Sequence, residues 1–343
     1  GGFTDYLKGN SCLGHGEHII AEADESDGSF LKFATFLSVV TNIEDDHLDH
    51  YGTVENILLS KWRIKMGIFD VFVAVIWGIV EGITEWLPVS STGHMILVEE
   101  FLKFQDEQFS QMFLVVVQLG AILAVVLLFW SRIWPFRFTK RERGESIIDW
   151  KIMQMWFKII VACLPAAIVG ILFDDWIDEV FYNAYVVAGA LIVYGILFII
   201  VENWNKGRKP AITSVTEIGY DTALIIGIFQ LLAAVVPGTS RSGATIIGAL
   251  LLGVARGAAA EFTFYLAIPV MFGASLLKIV KSGLSFGAMG YVTLLVGMLV
   301  AFVVSLFVIR YLMSYIRKHD FKAFGYYRIV LGVVVLVYFF LFK

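Results

Sequence analysis

Two carboxylates, Glu81 and Glu85, stand four residues apart inside an apolar stretch. At that spacing on a helix they share one face. A pair of hard oxygen ligands suits a divalent cation, Mg2+ or Ca2+, bound together with a phosphate. Ionisable groups inside a membrane segment are expensive, so a functional role is the default reading; a pair facing water at a helix end is the plainer one. Ser90-Ser91-Thr92-Gly93-His94 follows directly. Ser91 lies three residues before His94, a separation at which a hydroxyl and an imidazole could act as nucleophile and base. The segment leads into a helix, whose first N–H groups could hold a phosphate. The plainer roles are capping for the hydroxyls and a hydrogen-bonded core position for the imidazole. Much further on, Ser240-Arg241-Ser242 with Thr245 places a guanidinium among hydroxyls in another apolar stretch. Arg at that depth needs an anionic partner, and its planar fork fits phosphate; an ion pair with Glu81 or Glu85 is the structural alternative. Taken together these groups describe a metal-assisted phosphate site.

The elements that must position them are membrane helices. Of the 343 residues 58% are hydrophobic and 16% charged, where soluble domains are nearer half apolar and about a quarter charged. The mean hydropathy is +0.78. A net charge of -4 argues against a nucleic-acid partner. Cys163 sits in an apolar run and the only other cysteine is Cys12, so a disulfide framework is not expected. Six runs approach the roughly 20 residues that a bilayer requires: Phe113–Trp130, Ile152–Phe173, Ala184–Val201, Phe262–Ile279, Tyr291–Ile309 and Ile329–Phe342. Two more, Val71–Leu102 and Leu224–Val254, are broken by Pro88 to Gly93 and by Pro237 to Gly243. Such breaks are tolerated at membrane depth only where they line a protein cavity. The segments Ser131–Lys151, Asn203–Gly219 and Tyr311–Lys322 are rich in Lys and Arg, and the segment Asp174–Asn183 is an acidic loop. The positive-inside rule puts the basic loops in the cytoplasm and the acidic one outside. Six spans satisfy this if each broken stretch enters and leaves on one face, the first from outside and the second from the cytoplasm.

The broken stretches also resemble each other. A shift of 149 positions lays Gly78 on Gly227, Glu81 on Gln230, Pro88 on Pro237, Ser91 on Ser240 and Phe113 on Phe262. With opposite entry this is an inverted repeat, which places a site where the two breaks meet. The fold expected is an all-α polytopic membrane protein with about six spans and two re-entrant broken-helix pairs. A short α/β remnant precedes them. Ser91, His94, Glu85 and Arg241 are the candidate catalytic residues. Ser90, Thr92, Ser240, Ser242, Thr245 and Gln230 are candidates for substrate binding, and Glu81 with Glu85 for the cation.

Residues 1–65 differ from the rest. They are acidic and hold four of the six histidines, and two short β-branched-rich runs are each followed by carboxylates. Ala21-Glu22-Ala23-Asp24-Glu25-Ser26-Asp27 and Thr41-Asn42-Ile43-Glu44-Asp45-Asp46-His47-Leu48-Asp49 resemble the central domain of UDP-N-acetylmuramate–alanine ligases. The resemblance implies Mg2+ ligation by Glu22 or Glu25 and by His47. The G-x-x-G-K-[ST] phosphate loop such a ligase needs is absent, so the segment reads as an inactive remnant. Gly1 in place of Met points to a chain cut from a longer one.

From Met66 to Lys343 the sequence resembles the undecaprenyl-diphosphatases of the bacitracin-resistance type. Two segments carry the likeness, Glu81-Gly82-Ile83-Thr84-Glu85-Trp86-Leu87-Pro88-Val89-Ser90-Ser91-Thr92-Gly93-His94 and Pro237-Gly238-Thr239-Ser240-Arg241-Ser242-Gly243-Ala244-Thr245. It implies release of inorganic phosphate from undecaprenyl diphosphate, leaving undecaprenyl phosphate as the recycled carrier lipid of peptidoglycan synthesis. It also implies bacitracin resistance, a divalent cation, and a multi-pass place in the bacterial inner membrane. The site is expected to open to the outer face. Ser91 as nucleophile with His94 as base or leaving-group acid, and direct attack by water on the cation with Ser91 only positioning, are both open. Broken helices in a repeat also mark transporters, so a polyprenyl-phosphate transporter or flippase is the competing reading. The sequence leaves open whether the chain forms a homo-oligomer.

Overall fold

The computed structural model describes residues 68–104, 106–136, 147–181, 183–282 and 286–342. The readings made on residues 1–65 lie outside these.

The first broken stretch is a helical hairpin of α1 (Ile68–Thr84) and α2 (Ser91–Phe101). The first run then forms α3 (Glu107–Val116) and α4 (Gln118–Ile133), a single span interrupted at Val117. Next come α5 (Trp150–Phe181) and α6 (Ala184–Trp204). The second half repeats this order. A hairpin of α7 (Tyr220–Val235) and α8 (Arg241–Leu251) precedes α9 (Arg256–Ser282), α10 (Ala288–Tyr315) and α11 (Lys322–Phe342). Six helices or helix pairs are long and apolar enough to cross a membrane: Glu107–Ile133, Trp150–Phe173, Ala184–Trp204, Arg256–Lys281, Ala288–Tyr315 and Lys322–Phe342. The expected spans are all present, each somewhat longer than its apolar run. The helices of the two hairpins, 11 to 17 residues long, are too short to cross about 30 Å at 1.5 Å per residue. The acidic segment expected as a loop is otherwise. Helix α5 runs on to Phe181, and Asn183 caps α6, its side chain accepting from Val186 N–H at 2.9 Å.

The halves hold each other. Hairpin helix α1 packs on α10 from the second half, hairpin helix α7 packs on α5 from the first, and α6 pairs with α11. Lipid tails are as apolar as leucine, so close backbone approach has to supply the attraction between helices. A Cβ on Gly195 would lie 2.7 Å from the Gly325 carbonyl oxygen, and one on Gly325 equally close to the Gly195 carbonyl oxygen. Gly78 meets the Gly297 carbonyl in the same manner at 2.6 Å. At the opposite end of the bundle from the α5–α6 turn, buried Glu202 takes a bidentate bond from Arg256 and the Phe321 N–H at 3.0 Å, tying α6, α9 and the α10–α11 turn together. A 3-10 turn, Val215–Glu217, closes a capping box with Ser214 nearby. There the N–H groups of Thr213 and Ser214 hold the exposed Glu217 carboxyl below the usual carboxylate range.

Candidate functional site

Each hairpin has a proline within its break, and each second helix begins on a serine in the left-handed region. Ser90 has φ 73° and Ser240 has φ 69°. Both cap their helices by accepting a backbone N–H three residues on, Gly93 at 3.4 Å and Gly243 at 3.2 Å. This corrects the register of the repeat. Ser240 corresponds to Ser90 and not to Ser91, because the second break, Pro237 to Ser240, is one residue longer than Pro88 to Ser90. Over α2 and α8 the offset is 150, which sets Ser91 against Arg241 and Thr92 against Ser242.

These two first-turn residues meet on one carboxylate. Glu85 continues the turn of α1, its N–H bonded to the Glu81 carbonyl at 3.0 Å. Its Oε1 accepts from Arg241 Nη2 at 2.8 Å and its Oε2 from the Ser91 hydroxyl at 2.8 Å. The Arg241 and Glu85 side chains are only 14% and 8% exposed, so their charges are largely withdrawn from solvent. Arg241 Nη1 also donates to the Thr263 carbonyl at 3.4 Å. The proposed Ser91–His94 pair is absent. The His94 ring bonds through Nδ1 to the Ser90 carbonyl at 2.7 Å and through Nε2 to the Tyr327 hydroxyl at 2.7 Å, and it stacks on Tyr327. The physical reason is that Glu85 offers the Ser91 hydroxyl a charged acceptor, the stronger kind.

The other candidates divide. Ser242 donates to the Glu85 and Leu87 carbonyls at 3.3 and 3.4 Å and lies 3.2 Å from the Ser240 hydroxyl, so it joins the two breaks. Thr245 is fully buried and bonded to the Arg241 carbonyl and the Thr263 hydroxyl, both at 2.9 Å. It buttresses the start of α8 from behind. Thr92 sits half-buried in the first turn of α2. Gln230 is buried and its amide has no hydrogen-bond partner. The same holds for Glu81 Oε1, at the position Gln230 occupies in the other hairpin.

An orphaned carboxylate oxygen next to a second carboxylate is what a cation would satisfy. No group of three or more His, Cys, Asp or Glu side chains stands ready to hold a metal among the described residues. Glu81 and Glu85 therefore fit an ion that takes few protein ligands and completes its shell with phosphate and water, as Mg2+ does.

Sequence reasoning missed two residues. Arg328 on α11 is fully buried, and its guanidinium donates to the Pro88 carbonyl at 3.4 Å, to that of Gly238 at 2.9 Å and to that of Thr239 at 2.7 Å. It clamps both breaks at once. Tyr327, beside it, orients His94. The available signal was an Arg opening an apolar run directly after two tyrosines.

A bundle of six apolar spans that folds two re-entrant helix pairs onto a buried carboxylate, guanidinium and hydroxyl is an integral membrane protein with an anion-handling centre. The chain belongs to the bacitracin resistance protein BacA family, whose profile matches residues 74–334. It is 58% identical to an undecaprenyl-diphosphatase of Desulfitobacterium hafniense over 80% of this chain and 98% of that protein. It is 60% identical to undecaprenyl-diphosphatase 1 of Clostridium acetobutylicum, over 79% and 97% of the two chains. An undecaprenyl-diphosphatase of Enterococcus faecalis is 56% identical over 80% and 99%. The profile of the Mur ligase middle domain matches residues 13–91 and overlaps the first over residues 74–91. The ligase resemblance therefore reaches beyond residue 65, into the first hairpin.

Proposed function

We propose that the chain hydrolyses undecaprenyl diphosphate to undecaprenyl phosphate and inorganic phosphate, with the Glu85–Arg241–Ser91 cluster as its centre. The observation that carries this is the convergence of Arg241 and the Ser91 hydroxyl on Glu85 from two different broken helices. A transporter needs sites that bind and release; it has no use for a hydroxyl held on a buried carboxylate.

The lipid tail lies among the apolar helices and the diphosphate reaches the breaks. Arg241 binds the terminal phosphate through its fork and stabilises the charge that develops there, a role of electrostatic positioning. Ser91 Oγ attacks the terminal phosphorus and its proton passes to Glu85 Oε2. The bond to the bridging oxygen breaks, and undecaprenyl phosphate leaves. Water then attacks the phosphoserine phosphorus, Glu85 Oε2 hands its proton back to Ser91 Oγ as the P–Oγ bond breaks, and inorganic phosphate leaves. His94, held by Tyr327, is placed for proton transfer at the leaving side. Glu81 and Glu85 would hold a divalent cation, Mg2+ or Ca2+, that neutralises phosphate oxygens. The amides of the first turns of α2 and α8 are the backbone donors for phosphate, with Ser90, Thr92 and Ser240 around them.

The protein works in the bacterial plasma membrane, with its basic loops in the cytoplasm and the site opening to the outer face. Phosphate release from undecaprenyl diphosphate by the full chain in detergent tests the reading. Detergent removes the two compartments that transport needs. Release that depends on Mg2+, stops with EDTA and is lost in Glu85→Ala and Arg241→Ala is expected. Well-folded protein that releases nothing under any divalent cation would end it.

A further inference from the structure

We propose that a cavity at the end of the molecule with the basic loops binds the phosphate of an anionic phospholipid headgroup. Its volume is about 550 Å³, and it lies among the end of α4, the starts of α5 and α9, the Val215–Glu217 turn and the end of α10. None of its wall residues belongs to the Glu85–Arg241–Ser91 cluster.

Three cations line it: Arg132, Lys151 and Arg317. The two acids of the wall are already engaged. Glu261 takes Arg132 Nη1 at 2.9 Å and the Tyr265 hydroxyl at 2.5 Å. Asp149 caps α5, accepting from the Lys151 and Ile152 N–H groups at 3.0 and 3.4 Å. Lys151 and Arg317 have no acidic partner among the described residues. Gly257 and Ala258 add the first turn of α9, the positive end of that helix. The surplus is cationic and suits one phosphate.

The height of the cavity selects the source of that phosphate. Trp130 and Trp134, stacked at 4.4 Å, flank Arg132 in the sequence, and Trp150 precedes Lys151; all three are exposed. Exposed tryptophans mark the level of the lipid headgroups. Basic pockets between helices at that level suit anionic headgroups. Ile152, Met155 and Met313 give the wall an apolar side for the glycerol and first methylenes of a lipid.

Thermal unfolding of the delipidated full chain in detergent tests this, with phosphatidylglycerol, phosphatidylcholine or inorganic phosphate added. Phosphatidylglycerol should raise Tm by binding the native state, and the other two should not. In the double variant Lys151→Ala, Arg317→Ala, half-saturation should need about thirtyfold more phosphatidylglycerol, roughly fivefold for each cation lost. Both side chains are exposed, so the variant should fold and release phosphate at the native rate. The charge-keeping variant Lys151→Arg, Arg317→Lys should recover the response. An unchanged response in the alanine variant overturns the proposal, as does an equal shift with phosphatidylcholine. A shift produced by inorganic phosphate alone overturns the lipid assignment.

Discussion

At the scale of single residues, the centre depends on one carboxylate with two tasks. Glu85 holds the Ser91 hydroxyl on one oxygen and Arg241 on the other. Glu85→Gln should abolish phosphate release and also lower stability by about 3 kcal/mol, since the Arg241 charge is left buried without its partner; kinetics and thermal unfolding read the two effects separately. Arg241→Lys keeps the charge and loses the fork. It should reduce kcat by about 10²-fold or more with little change in Tm. His94→Ala should lose about 10²- to 10⁴-fold in kcat if the imidazole moves a proton. Tyr327→Phe keeps the stack and should lose less than about tenfold, because it removes one member of a hydrogen-bonded chain. Glu81, Glu85, Ser91, His94 and Arg241 were legible because charged and hydroxyl residues stand out against an apolar background. The partners inside the site were not. Sequence spacing paired Ser91 with His94, yet the better acceptor came from the preceding helix. Tyr327 and Arg328 escaped notice because aromatics and Arg at the start of a span read equally well as anchors at the membrane surface. Only the packing of α11 turns Arg328 inward and sets the Tyr327 hydroxyl on His94.

At the scale of elements, the two breaks are one device used twice. A serine held at positive φ turns the chain, and its own hydroxyl caps the helix that follows. Left-handed backbone is strained for a branched side chain. Ser240→Val should therefore lose both the cap and the turn, lowering stability by about 2 kcal/mol or more, whereas Ser240→Gly should stay within about 1 kcal/mol of the native protein. Thermal unfolding of the pair checks the order. The sequence showed that a repeat exists, through Gly78 against Gly227 and Pro88 against Pro237. A single fixed offset could not show the extra residue in the second break, so it matched Ser240 to the wrong serine. The acidic segment after Phe173 was misread for a related reason. Composition locates water, and a helix can continue into water.

At the scale of the whole molecule, the six spans were legible because each is a long apolar run with basic or polar flanks. The exchange of partners between halves was not, since no local pattern says which helix a glycine face will meet. Every residue named in the centre lies between Glu81 and Arg328, so a chain starting at Met66 should release phosphate with an unchanged kcat, measured in detergent beside the full chain. The exchange of partners also has a consequence for how the protein is made. Hairpin helix α1 leans on α10, and α10 starts at Ala288, 187 positions beyond the end of α2 at Phe101 (288 − 101 = 187). At about 5–20 residues per second a ribosome takes roughly 10–40 s to cover that distance. For that interval the nascent chain sits in the bilayer with the Gly78 and Gly82 face of α1 still waiting for the helix that packs on it. An unfinished copy therefore shows the lipid a bare glycine face that a finished one has closed.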